Sequence, residues 1–180
     1  MHDDLGIALG AEGRTDEALA QFGEALRLAP TRAETHNNMA NLLAGAGRLP
    51  EAVEHYEAAL RLRPHYPDAE NNLANALALQ GDTAAAVVHY RAALALDPSY
   101  ADAHHNLGVL LAAAGQADEA LAHFQDAVRL RPNYPEGHLD LARALAAAGR
   151  PKEAISHLQT ALRLRPGWPE AQRALTELRQ

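Results

Sequence analysis

The chain has no cysteine and only one tryptophan, and aromatic residues make up 4% of its 180 residues. The lack of cysteine excludes disulfides and thiol chemistry. No apolar run approaches the roughly 18 residues that a membrane-crossing helix needs. The opening MHDDLGIALG carries two early acids and no basic segment, so it does not read as a signal peptide. The last two features predict a cytoplasmic chain with no membrane contact. Positive charge is scarce as well. The formal net charge of -7 argues against a general nucleic-acid binder, which needs a basic face to neutralise phosphates. GxSxG, HExxH and phosphate-loop patterns are all missing. No enzyme activity, cofactor or metal site is therefore expected.

What is present is a period. Prolines recur at Pro30, Pro64, Pro98, Pro132 and Pro166, always 34 residues apart. Glycines keep the same interval at Gly13, Gly47, Gly81, Gly115 and Gly149. Two alanine series follow it, Ala18 to Ala154 and Ala25 to Ala161. Internal repeats of this length decide the fold.

Residues 67 to 100 show what one unit does. Pro67 suits a helix start, where its missing N–H costs nothing, and Asp68 suits the positive end of the dipole. Ala69, Leu73, Ala76, Leu77 and Gln80 follow helical spacing. Gly81 ends that helix. A second helix is predicted from about Thr83 to Leu96, with Val87, Tyr90, Leu94 and Leu96 as its bulky contacts. Ala86 and Ala93 keep its surface thin where another helix must come close.

This spacing resembles the tetratricopeptide repeat, a family of 34-residue helix–turn–helix units. Residues 101 to 134 carry its pattern with Leu107, Gly108, Leu111, Ala120, Phe124, Ala127 and Pro132. One departure is repeat position 4, often tryptophan in the family and here His36, Glu70, His104 and His138. The resemblance implies an all-α fold, a right-handed superhelical solenoid of antiparallel helix pairs, with first helices lining the concave side. The expected organisation is one repeat domain over 1–180. It contains a first repeat (1–32) lacking two positions, full repeats at 33–66, 67–100, 101–134 and 135–168, and a capping helix at 169–180. The first repeat has no comparable cap. It is expected either to expose its front face or to have been cut from a longer array.

Asparagine is a poor helix former, yet the first helices are rich in it. Repeat position 6 reads Asp4, Asn38, Asn72, Asn106 and Asp140; position 9 reads Ile7, Asn41, Asn75, Val109 and Arg143. Spacings of three and four put these positions, with 2 and 5, on one face. The resemblance aims that face into the groove. An asparagine amide offers an acceptor and two donors and so matches a peptide bond whatever its side chain. HNNMAN and ENNLAN are similar to repeats of the O-linked N-acetylglucosamine transferases, whose asparagine ladder holds an extended chain. The alternative is hydrogen bonding between neighbouring helices or to solvent. Small residues at position 12, Gly10, Ala44, Ala78, Ala112 and Ala146, fit an open groove wall or plain helix packing.

A subgroup of the resembled family clamps acidic chaperone tails with cations at positions 2, 5 and 6. Here position 2 is Glu34, Asp68, Asp102 and Glu136, which disfavours acidic ligands and points to a neutral or basic one. Histidines recur at position 23 (His55, His89, His123, His157), but neighbouring helices pack about 8–10 Å apart. That is too far for equivalent residues of successive repeats to share an ion. Tyr66, Tyr100, Tyr134 and Trp168 at position 34 read as wedges between repeats, with ligand stacking as the alternative. The expected function is a non-enzymatic scaffold binding an extended protein segment through Asn38, Asn41, Asn72, Asn75, Asn106, Asp4 and Asp140. The alternatives are the substrate-recruiting part of a larger enzyme such as a glycosyltransferase, and self-association through the uncapped first repeat.

Overall fold

The computed structural model describes residues 1–179. Among them are eleven helices: α1 (His2–Ala11), α2 (Thr15–Leu28), α3 (Ala33–Gly45), α4 (Leu49–Leu62), α5 (Pro67–Leu79), α6 (Thr83–Leu96), α7 (Ala101–Ala113), α8 (Ala117–Leu130), α9 (Pro135–Ala147), α10 (Pro151–Leu164) and α11 (Pro169–Glu177). No strand occurs among the described residues. Two compact units divide the chain, Met1–Asp97 with α1–α6 and Pro98–Gln180 with α7–α11. Within each unit a helix packs on its successor through a tight turn, and the pair packs on the next.

Local chemistry sets the boundaries. Prolines occupy the first turns of α4, α5, α9, α10 and α11, where a missing N–H is harmless. At the start of α6, Asp82 accepts the backbone N–H of Ala85 at 3.0 Å, a side-chain N-cap. At the start of α10, Arg150 instead reaches Glu153 through two bonds of 2.7 and 2.8 Å. After α5 the backbone turns left-handed at Gly81 (φ +87). This lets Asp82 N–H bond Leu77 O at 2.9 Å and Gly81 N–H bond Ala78 O at 3.0 Å, satisfying carbonyls the helix end leaves open.

The core is thin and alanine-rich. Ala18, Ala52, Ala86 and Ala154 are wholly buried, as are Ala59, Ala93, Ala127 and Ala161. In the first unit, Ala40, Leu43, Ala52 and Tyr56 pack with Leu73 and Ala76 of the following repeat. A second cluster joins Ala33, Ala59 and Ala69, with Tyr66 laid against it. Leu96 departs from expectation. It is 36% exposed rather than a core contact, and Leu62 one repeat earlier and Leu28 two repeats earlier are exposed as well. All three sit at the last turn of a second helix, beyond the reach of the partner helix.

Two glycines in this frame should respond in opposite ways. Gly81→Ala meets no atom within 4 Å but must hold φ +87, so it should lower stability by about 1–2 kcal/mol. Gly23, inside α2 with nothing within 4 Å, should gain about 0.5–1 kcal/mol on conversion to alanine. Gly108 differs from both. A Cβ there would lie 2.9 Å from Phe124 Cε1, and the ring is buried. Gly108→Ala should cost about 1–3 kcal/mol through overpacking. Urea denaturation followed by circular dichroism reads all three.

Candidate functional site

The asparagine face of the first unit bonds largely to itself. Tyr56 of α4 donates its hydroxyl to Asn41 Oδ1 at 2.7 Å, and Tyr90 of α6 donates to Asn75 Oδ1 at 2.6 Å. Burial pushes the Tyr56 phenol up to about 12, so it stays a donor at any ordinary pH. Asn72 then reaches back one repeat, donating Nδ2 to Asn41 Oδ1 at 3.0 Å. Asn41, Asn72 and Asn75 thus each have a side-chain hydrogen-bond partner. Asn38 is the exception. Its amide has no hydrogen-bond partner among the described residues. It borders a recess of about 300 Å³ shaped by Gly6, Ile7, Gly10, Phe22, Asn41 and Leu42. Asp4 is exposed and meets the terminal amine at 2.9 Å, which lowers its pKa.

In the second unit, Asp140 accepts from His105 Nε2 at 3.0 Å and from Arg143 at 3.1 Å. The other ring nitrogen of His105 lies 3.1 Å from the Tyr134 hydroxyl and 3.3 Å from Asn106 Oδ1. A second recess, about 350 Å³, lies among Val109, Ala112, Phe124, Asp140, Arg143 and Ala144.

These contacts follow a rule visible along the chain. Where position 24 is tyrosine (Tyr56, Tyr90), position 9 is asparagine and position 8 is alanine. Where it is phenylalanine (Phe22, Phe124), position 9 is Ile7 or Val109 and position 8 is glycine. The phenylalanine rings sit where a glycine Cβ would be, 2.8 Å away at Gly6 and 2.9 Å at Gly108. A polar rung is thus exchanged for an apolar recess.

Two expectations about this face need correction. Position 5 does not open onto it. Asn37, Asn71, His105 and Leu139 are all buried, because this position faces the neighbouring repeat: His105 touches Asp140, and Asp3 takes Thr35 Oγ1 at 2.6 Å. Asn37 Oδ1 and Asn71 Oδ1 are buried without a hydrogen bond among the described residues. The position-2 acids are also engaged. Asp102 holds Arg131 through bonds of 2.7 and 2.6 Å, and Glu34 and Glu136 hold Arg63 and Arg165. Each arginine also lies over an aromatic ring, 4.6 Å from Tyr66, 5.2 Å from Tyr134 and 4.5 Å from Trp168. These rings are committed to the repeat junctions, in line with the wedge reading.

A further set of contacts was missed in the sequence. Position 4 meets position 23 of its own repeat in every repeat. His36 and His55 approach at 2.9 Å between Nδ1 atoms, as do His104 with His123 and His138 with His157. In the other two repeats, His2 meets Gln21 at 2.8 Å and His89 meets Glu70 at 2.6 Å. The separation of 19 residues was the available signal. Comparing equivalent positions between repeats hid a pairing that lies within each. Burial lowers the pKa of His36, His55 and His157. Each pair offers two donors only, and no group of three or more metal-binding side chains gathers among the described residues.

No helix among the described residues is long and apolar enough to cross a membrane. No curated protein is similar to the chain at a significant level. Solved structures are. MamA of Desulfovibrio magneticus RS-1, from residue 41 to its end, is 23% identical with a TM-score of 0.80, covering 93% of this chain and 95% of that one. Pseudomonas aeruginosa PilF is 21% identical with a TM-score of 0.90, covering 98% and 81%. YrrB, described as a TPR protein with an unusual peptide-binding site, is 22% identical with a TM-score of 0.78, covering 97% and 90%. At these identities the likeness shows the fold, an all-α helical-repeat solenoid. A tetratricopeptide repeat family model matches residues 10–56 and 111–178, and a TPR repeat model matches 41–81 and 74–115. With more than half its length matched and every helix pair in place, the chain belongs to the tetratricopeptide repeat family.

Proposed function

We propose that the chain is a non-enzymatic docking module that holds an extended protein segment along its first helices, with Asn38 as the principal anchor. The observation that carries this is the contrast within the column. Asn41 and Asn75 are engaged by tyrosines, and Asn72 by Asn41. Asn38 keeps a free amide beside an apolar recess. A free amide can give a bidentate pair to a peptide bond, and the recess beside it suits an apolar side chain of the same segment. Asn41, Asn72 and Asn75 form the rigid support that sets the distance between rungs. Asn106 and Asp140 make a more polar counterpart in the second unit, next to the recess at Phe124.

Other facts favour the same reading. HNNMAN and ENNLAN are similar to repeats that grip a ligand backbone with asparagines, and YrrB, alike in fold, has a peptide-binding site. Asp4, Glu34, Asp102 and Glu136 give no charge preference, since the terminal amine pairs with the first and arginines neutralise the other three.

The test is binding to a peptide array of varied charge and apolar content, followed by fluorescence anisotropy on the best sequence. Asn38→Ala should weaken binding about tenfold, the equivalent of about one hydrogen-bonded pair, and leave the melting curve unchanged. Wild-type affinity in a folded Asn38→Ala protein would remove the anchor. Tyr56→Phe should behave in reverse, lowering stability by about 1 kcal/mol with a smaller effect on binding, because it acts on the support.

A further inference from the structure

The histidine pairs are not alike in what a proton does to them. In His104 the Nε2 faces the backbone carbonyl of Pro98 at 3.2 Å, and in His138 that of Pro132 at 2.9 Å. His36 is bonded by the backbone of Pro30. A carbonyl only accepts, so Nε2 carries the hydrogen and the neutral ring presents a bare Nδ1 to its partner. The partner at position 23 must then donate its own Nδ1–H. One hydrogen is held between the two rings.

A first added proton is tolerated. It goes to Nε2 of the position-23 ring, and the Nδ1–H···Nδ1 bond survives. The charged groups around the pairs favour that site. Glu51 and Glu54 act on His55, Glu153 acts on His157, and Glu119 lies 3.9 Å from His123 Nε2. Arg61 acts against a proton on His36. A second proton must go to the position-4 Nδ1. It abolishes the bond and sets two imidazolium ions face to face at 2.9 Å. In each pair the first proton therefore opposes the second. The other two contacts respond differently. Gln21 Oε1 accepts from His2 whether or not that ring is charged, and the Glu70 carboxylate accepts from a protonated His89 as an ion pair.

The three dyads are unevenly placed. Both helix pairs of the second unit, α7–α8 and α9–α10, are closed by one, but only one of the three helix pairs in the first unit is. We infer that the histidine dyads are acid-released latches, so that mild acidification loosens the dyad-closed pairs α3–α4, α7–α8 and α9–α10 before α1–α2 and α5–α6. The inference is independent of the ligand reading above. The sign follows from linkage. Histidines in the unfolded chain take protons near pH 6.5, while His36, His55 and His157 take them lower when folded. The stability that these three histidines contribute is present above about pH 6.5 and is lost as pH falls below it. Each proton that folding excludes changes the unfolding equilibrium by up to about tenfold per pH unit. Carboxylates with ordinary values near 4 stay ionised in this window.

Hydrogen exchange of the full chain at pH 7.5 and 5.5, corrected for intrinsic exchange, tests this directly. Protection should fall at pH 5.5 in α3, α4 and α7–α10 and hold in α1, α2, α5 and α6. The variant H55Q/H123Q/H157Q copies the His2–Gln21 contact into the three repeats and should lose this acid sensitivity. Equal loss in helix pairs with and without a dyad in the wild type, or the same loss in the variant, would overturn the inference. A nitrogen NMR titration of the wild-type imidazoles gives a second reading that needs no variant. Two separated steps per dyad are expected, and six independent titrations near 6.5 would also overturn it.

Discussion

The structure depends on how closely two helices can approach at an alanine. Ala18, Ala52, Ala86 and Ala154 expose nothing, nor do Ala59, Ala93, Ala127 and Ala161. Each marks a place where a second helix lies against another helix with no side chain longer than a methyl between them. At that distance a side chain need span very little to cross. Tyr56 reaches Asn41, and the imidazoles at positions 4 and 23 touch, because the backbones behind them are held near. A core of larger residues would bury more apolar surface per contact but would move these pairs out of hydrogen-bond range.

The same closeness explains why polar side chains are tolerated inside the helices. Asparagine at positions 6 and 9 is unfavourable on propensity alone. Each engaged amide recovers part of that cost through a bond across helices, since a satisfied buried polar group is far cheaper than an open one. Asn72 bonding Asn41 links one repeat to the next, so in a one-dimensional array it strengthens the nearest-neighbour term. Asn38 lacks such a bond and stands out from the series for that reason.

Much of the fold was legible because the period was. α5 begins at Pro67 and α6 spans Thr83–Leu96, as the proline, the glycine and the alanine series indicate. The site was less legible. A repeat alignment compares position 6 with position 6, and it shows columns well. It does not show that position 5 is buried, since on a helix surface 5 and 6 differ only by a rotation that the neighbouring repeat decides. Nor does it show contacts between positions 4 and 23, or 2 and 31, which belong to the geometry of a single pair. Glu34, Asp102 and Glu136 read as free negative charge in the sequence and are neutralised by arginines 29 residues further on. Leu96 read as core from its type alone, yet it lies past the end of the surface that its partner helix covers.

The coupling of positions 8, 9 and 24 also constrains how such arrays recombine. Phe22 requires Gly6, and Tyr56 is matched to Asn41, with both partners always on the two helices of one repeat. A crossover placed in a connection between repeats carries each matched set across whole. A crossover in the short turn inside a repeat would join an alanine–asparagine helix to a phenylalanine helix, with a clash and an orphaned amide together, and its reciprocal would leave a tyrosine hydroxyl without its amide. Exchange of units at the prolines thus keeps every matched set intact, whereas exchange at the glycines splits it.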